Sequence, residues 1–229
     1  YTPESIRKFA DRIGVAKRDN IIDVSLLEFC VREDLNKSST RAMAVLNPIL
    51  LKIVNYPQNK EEELFFVDNP ESKEPNTRPL TFNSELYIEK EDFSADPPLG
   101  FKRLSIGSEV RLKSGYIVKA THVELDSSGN LIAICCEYDP KSLSGSGSLE
   151  SHRKVNTTIH WVCKKTAVSA EVREYDRLFM TPVPGGEDGD FLKDLNPKSL
   201  NITTGYAEPS LARATPGQRY QFQRKGYFV

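Results

Sequence analysis

Seven short runs rich in β-branched and aromatic residues occupy most of the chain from about residue 49 onward: ILLKIVNY, ELYIEKEDF, EVRLKSGYIVKATHVEL, NLIAICCEY, TTIHWVC, AEVREYDRLF and RYQFQR. Turn-forming clusters separate them, among them DNPESKEPN, DSSGN, SLSGSGSLES and PVPGGEDGD. Runs of this length, punctuated by Gly, Pro, Asn and Asp, specify strands with short connections. No long helical period intervenes, so the expected architecture is antiparallel β in one or two small barrels or sandwiches. The Gly145–Ser148 stretch reads as a flexible hairpin tip or a disordered loop.

Before the change of grammar near residue 42, the pattern is helical. Thr2 can cap a helix and Pro3 suits its first position. Ile6, Phe9, Ala10 and Ile13 follow at helical spacing, and Gly14 stands where a glycine cap belongs. A second helix is predicted from about Ile21 to Leu35, with Leu26, Leu27, Cys30 and Val31 as its apolar stripe and NKSST ending it.

The 229 residues suffice for one large or two small domains, with 38% apolar residues for cores and 28% charge for a wet surface. No apolar run approaches the roughly 18 residues that span a bilayer. The opening residues are amphipathic and charged, unlike a secretory leader, and without an initiator Met the chain reads as part of a longer one. Cys30, Cys135, Cys136 and Cys163 lack metal-ligand spacing, so they are expected to be buried small hydrophobes in a reducing compartment. PGGEDGD lacks the ligand alternation and closing Glu of a calcium loop, so no metal is expected. His122, His152 and His160 belong to no nucleophile or metal motif, and Glu61–Glu63 read as a solvated acidic run. A binding module is therefore expected rather than a self-contained enzyme.

A net charge of −1 argues against a generic polyanion binder, but the charge is zoned. Eleven acids face four bases between Lys60 and Asp96, whereas five bases face two acids between Phe101 and Leu125. From Tyr206 onward, Arg213, Arg219, Arg224 and Lys225 stand against Glu208 alone. The final GQRYQFQRKGYFV sets Gln221, Gln223 and Arg224 among Tyr220, Phe222, Tyr227 and Phe228. That mixture suits a strand with a wet face, and also a surface that reads unpaired bases.

Ordered motifs along the whole chain carry a resemblance. YTPESIRKFADRIGVAKRDNIIDVSLLEFCVREDLN with RAMAVLNP resembles the end of the catalytic half of a glutaminyl-tRNA synthetase. LYIEKEDF, FKRLSIGSEVRLKSGYIVKA, IHWV, EVREYDRLF, LNPKSL and YAEPSLARATPGQRYQFQRKGYF follow in the order of that family's anticodon-binding region. The resemblance implies a mainly β fold, two antiparallel β-barrels preceded by a small α-helical subdomain. Its boundaries would be 1–40 for the helical subdomain, 41–56 with 157–229 for the proximal barrel, and 57–156 for the inserted distal barrel. The ATP and amino-acid sites belong upstream, so this fragment would hold no cofactor and be inactive alone. The full-length enzyme would use ATP with Mg. The implied partner is a glutamine tRNA, bound by a cytoplasmic monomer with no DNA and no membrane.

The resemblance also implies site residues. Uracil offers two acceptors and one N–H donor; Arg supplies only donors, whereas a Gln amide supplies both. Gln221 and Arg224, with Arg41, match the family's contacts to the middle U of the anticodon. Gln221 and Arg224 lie three apart, which in a regular strand points them to opposite faces, so a bulge or a base across the strand end is needed. Arg103 matches the contact to the third base, where guanine presents two acceptors to a forked donor. Arg111 matches a position near the first base, and Lys113, on the same strand face, suits a phosphate. Asn36 matches another anticodon-loop contact. Gly100 and Glu71 stand near positions where a bacterial pattern has polar contacts, so those contacts are expected to be absent or supplied by neighbours. Lys17, Arg18 and Asp23 match contacts to the inner corner of the tRNA. Trp161 and DRLF are assigned to core packing. The alternatives are the same region of an archaeal or eukaryotic glutamyl-tRNA synthetase, a stand-alone ribosomal-RNA-binding barrel, or a structural module without RNA.

Overall fold

The computed structural model of the chain describes residues 1–186 and 189–229. Helix α1 (Pro3–Ile13) begins at a reciprocal cap: Thr2 Oγ1 accepts the Ser5 amide and Ser5 Oγ accepts the Thr2 amide, both at 3.1 Å. Gly14 ends it at φ +64°, a left-handed conformation that favours glycine. Helix α2 (Val24–Ser38) starts later than the apolar pattern predicts, because Asp23 accepts the Ser25 amide at 2.8 Å and fixes the cap. It continues through NKS, where Ser38 Oγ bonds back to the Asp34 carbonyl at 3.1 Å.

The expected stripe on α1 is not its packing surface. Ile6 and Ile13 are exposed and Phe9 is only half-buried. Polar contacts join the helices instead: Thr2 Oγ1 donates to Asp34 at 2.6 Å, and Lys8 and Arg12 reach Glu33 at 2.7 and 3.0 Å.

Beyond Ser39 the chain is strands, turns and single 3-10 turns, as the punctuated runs predict. The expectation of two closed antiparallel barrels is not what the hydrogen bonds record. Among the described residues the strands form open sheets of seven, three, three and two members. Three pairs are parallel: Thr40–Ala42 with Tyr220–Phe222, Pro48–Ile53 with Leu131–Tyr138, and Thr158–Ile159 with Glu109–Leu112. Each joins segments distant in sequence, so no tight hairpin forces opposite directions.

The seven-stranded sheet carries the main core. Its order is Thr158–Ile159, Glu109–Leu112, Ile117–Leu125, Leu131–Tyr138, Pro48–Ile53, Glu85–Glu89 and Val162–Cys163. Only His160 and Trp161 separate its two edge strands in the chain, so the sheet curls until both edges meet one stretch. Trp161 is fully buried and donates from Nε1 to the Lys113 carbonyl at 3.0 Å, with Phe66 and Phe82 edge-on to its ring. Pro48–Ile53 and the strands within 158–163, assigned by sequence to the proximal barrel, hydrogen-bond into this sheet.

A smaller core lies beside it. Ala42, Ala44, Leu46, Val172, Ala207 and Phe222 are buried between two three-stranded sheets. One sheet is Thr40–Ala42, Tyr220–Phe222 and Gly226–Phe228, with Tyr220–Phe222 central; the other is Val168–Tyr175, Leu200–Ala207 and Ala44–Val45. The strands approach closely enough that a Cβ at Gly205 would stand 2.6 Å from the Val45 carbonyl oxygen.

Other sequence readings meet the structure unevenly. All four cysteines are buried and free. Glu62 is not merely solvated: it accepts the hydroxyls of Tyr56 at 2.6 Å and Tyr116 at 3.0 Å at the edge of the aromatic core. The segment around Gly145–Ser148 is tied down by serine hydroxyls, Ser144 to the Gly115 carbonyl at 2.9 Å and Ser148 to the Lys141 carbonyl at 2.5 Å. The calcium reading of 184–190 falls partly on Glu187 and Asp188, which lie outside the described residues. No helix among the described residues is long and apolar enough to cross a membrane.

Candidate nucleic-acid interface

Strand register assembles one row of side chains. Arg41 pairs with Gln221 across the parallel strands, and Gln221 pairs with Tyr227 across the hairpin. Residues in register on neighbouring strands share a face. The next row contains Ala42 and Phe222, which point into the small core, so Arg41, Gln221 and Tyr227 face away from it. Gln221 therefore sits in the central strand, not at a polar edge.

The row is only partly self-satisfied. Arg41 Nη2 donates to Glu71 at 3.0 Å, and the Tyr227 hydroxyl donates to Asn36 Oδ1 at 2.5 Å. Gln221 Oε1 and Arg41 Nε are covered but have no hydrogen-bond partner among the described residues. An unpaired acceptor and an unpaired donor on residues paired in register suit the alternation of groups on a base's Watson–Crick edge. Each such group left unpaired costs about 1–3 kcal/mol, a cost that a ligand supplying partners would recover.

The three-residue spacing of Gln221 and Arg224 has a structural resolution. The strand ends at Phe222, and Gln223–Lys225 turn the hairpin, with Lys225 N donating to the Phe222 carbonyl at 3.0 Å. Arg224 has φ +66°, so strand alternation does not govern where it points. Its fork grips Asp92 with both terminal nitrogens at 2.6 Å, which raises the guanidinium pKa above its ordinary value. A left-handed arginine costs of order 1–3 kcal/mol and persists only where its surroundings fix it.

Arg103 meets the same carboxylate, with Nε 3.5 Å from Asp92 Oδ1 and Nη1 donating to the Glu91 carbonyl at 3.0 Å. Next to this pair, Lys225 lies 3.2 Å from Glu89, which also accepts the Leu46 and Asn47 amides and lies 3.3 Å from His160. Burial alone would raise the Glu89 carboxyl, but His160, the two amides and Lys225 bring it down to about 2. A third buried acid, Glu208, accepts the Met43 amide at 2.8 Å and holds Arg78, which also reaches Asp68 at 2.5 Å.

The expected residues thus fall into groups. Asn36, Arg41 and Gln221 are joined through Tyr227, while Arg103 and Arg224 are joined through Asp92. No described contact brings Arg111 to either group. Its guanidinium is spent on the 142–153 segment: the carbonyls of Ser142 at 2.7 Å, Ser151 at 2.9 Å and Arg153 at 3.3 Å, and Ser144 Oγ at 3.2 Å. Burial, then the nearby Arg153, lowers its pKa. Lys113 is exposed at the turn after Leu112, and its amide extends the parallel ladder to the Ile159 carbonyl at 2.9 Å. Lys17 and Arg18 are exposed between the helices, and Asp23 is committed to capping α2.

Sequence reasoning missed Tyr227, Asp92, Glu89 and Glu208 as parts of the site. For Asp92 and Glu89 the signal was the opposed charge zoning. The acid-rich stretch ending at Asp96 supplies buried partners for the bases of the C-terminal hairpin.

Two family models match, both described as anticodon-binding domains of class I tRNA synthetases (E and Q), over residues 39–139 and 158–229. The chain is 48% identical over all its residues to a protein of Nitrosomonas europaea named glutamine–tRNA ligase, and covers 41% of that protein. It is 47% identical to the glutamine–tRNA ligase of Citrobacter koseri and 46% identical to that of an Enterobacter species, again over all of this chain and 40% of each relative. The chain thus spans about two fifths of the length of the curated relatives it matches. Together the fold and these matches lead to one conclusion: the chain belongs to the anticodon-binding domains of the class I tRNA synthetases (E and Q).

Proposed function

We propose that this chain binds the anticodon loop of a glutamine tRNA and belongs to a protein that ligates glutamine to that tRNA with ATP. The observation that carries the reading is the in-register row Arg41–Gln221–Tyr227, with its unpaired Gln221 Oε1 and Arg41 Nε. Both atoms are covered, so a base engages them as Arg41 and Gln221 change rotamer. The middle uracil gives its N–H to Gln221 and accepts from Arg41, with further donation from Arg224. Arg103 donates to O6 and N7 of a guanine at the third position. Asn36 positions the loop through Tyr227.

Lys113, Lys17 and Arg18 act on phosphates or 2′-hydroxyls, and Asp23 caps its helix while lying close to that path. Arg111 serves the first base indirectly, by ordering the 142–153 segment. ATP and Mg belong to the absent part of the protein. The working unit is a cytoplasmic monomer.

We also infer two lobes behind a helical subdomain at 1–40. The curled sheet acts as the distal barrel, 57–156, completed by strands of 41–56 and 157–229; the remainder of those segments forms the proximal one. The glutamyl alternative is disfavoured because cytosine at the third position presents an amino donor to Arg103.

The test is binding of the chain to glutamine tRNA transcripts with anticodon CUG, CUC or CAG at fixed moderate salt. A preference for CUG over both is expected. Equal binding of all three would reduce the chain to a phosphate holder.

A further inference from the structure

Asp92 is a buried acid whose surroundings are all functional candidates. Its side chain is 1% exposed, yet it lies in a 3-10 turn, Lys90–Asp92, at the end of a strand. Its backbone carbonyl accepts the Leu104 amide at 2.9 Å, and Ser94 donates to the Leu104 carbonyl at 3.0 Å. This short ladder sets Arg103 beside it. Arg224 arrives from the opposite direction, on a turn that takes a left-handed φ to do so. One carboxylate thereby joins two arginines from separate parts of the chain, at 2.6, 2.6 and 3.5 Å.

Two like charges this close would repel and spread without an anion between them. A bidentate carboxylate also fixes the plane of a guanidinium. With both terminal nitrogens of Arg224 turned to Asp92, its Nε–H and two outer hydrogens remain for a ligand. Among the described residues, Arg103 engages Nη1 and Nε and leaves Nη2 unengaged.

Resting on the base-reading proposal above, we infer that Asp92 is a positioning residue for anticodon discrimination. It touches no base. It holds the Arg224 and Arg103 guanidiniums in fixed planes and at a fixed separation, so that the second and third bases are read together. Loss of Asp92 leaves both charges, and hence phosphate attraction, but frees their orientation.

The test compares the 229-residue chain with D92N on CUG, CAG and CUC transcripts, with salt slopes and thermal melts for both. In D92N the preference for CUG over CAG and over CUC is expected to fall about tenfold, the equivalent of one good directed contact per base. CAG and CUC, which each keep one of the two contacts, should weaken by no more than about tenfold, less than CUG, and the salt slope should stay unchanged. Preserved preferences, or an equal loss on all three transcripts, would overturn the role and leave Asp92 a structural ion-pair partner. Should D92N not fold, D92E decides: it keeps the charge on a longer arm, so reduced preference supports the role and full preference overturns it. A wild-type chain with no preference for CUG would overturn the base-reading proposal itself, and this inference with it.

Discussion

The curled sheet and the C-terminal hairpin are neighbours built on different physics. The sheet surrounds a continuous apolar core, with Trp161, Phe82, Ile134 and Leu104 fully buried. The hairpin shares a core whose buried members are mostly small, and polar contacts fasten it to the rest: the ion pairs Arg224–Asp92 and Lys225–Glu89, and the hydrogen bond from Tyr227 to Asn36. Apolar burial is strong and non-directional, so it stabilises a scaffold. Charge-assisted bonds contribute less net stability after desolvation but fix direction. The lesson is that the scaffold supplies the stability and the buried acids supply the aim.

The largest effect should come from breaking the scaffold. Trp161→Ala is expected to cost about 3–5 kcal/mol, as removal of a buried indole leaves a cavity and the Lys113 carbonyl loses its N–H donor. Denaturant melts measure it; a loss below about 1 kcal/mol would erase the contrast between the regions. Next is Glu208→Gln, which leaves Arg78 half-buried with only Asp68 as a charged partner. Removing one partner of a buried ion pair costs up to about 3 kcal/mol, and the retained Asp68 keeps the loss below that. The hairpin should loosen first, seen as faster amide exchange around 220–228 than in the curled sheet.

Acid should act on the same region. The folded Glu89 carboxyl is held near 2, below the ordinary 4.5. A depressed folded pKa adds stability that is fully present above about 4.5 and is lost as pH falls toward 2. The loss is of order 3 kcal/mol and should vanish in Glu89→Gln. A stability curve of the wild type that is flat from pH 5 to 2 would contradict the assignment. Smaller again, Arg103→Ala should lose about 1–3 kcal/mol of third-base discrimination, whereas Lys113→Ala should weaken all transcripts alike and lower the salt slope. Equal losses across anticodons for Arg103→Ala would remove it from base reading.

Much of this was legible in the sequence, for physical reasons. Thr2, Pro3 and Gly14 carry local rules for helix ends, and α1 obeys them. The punctuated β-branched runs marked the strands, and the IHWV context marked Trp161 as core. What local pattern could not carry was partnership. Nothing near residue 41 says that it pairs with 221, because parallel pairing of distant segments leaves no turn signature. Asp92 within EKED carries no local sign of burial, since its burial depends on an arginine 132 residues away. Gly145–Ser148 looked flexible, because Ser and Gly permit flexibility where tertiary hydrogen bonds do not remove it.

The central claim is that the Arg41–Gln221 row reads the middle base. Its most direct test is the affinity of Gln221→Ala for CUG and CAG transcripts, with CUC as the third-base control. The account predicts that preference for CUG over CAG falls about tenfold while preference over CUC survives. A substitution that leaves the middle-base preference intact, or lowers both preferences equally, would contradict it.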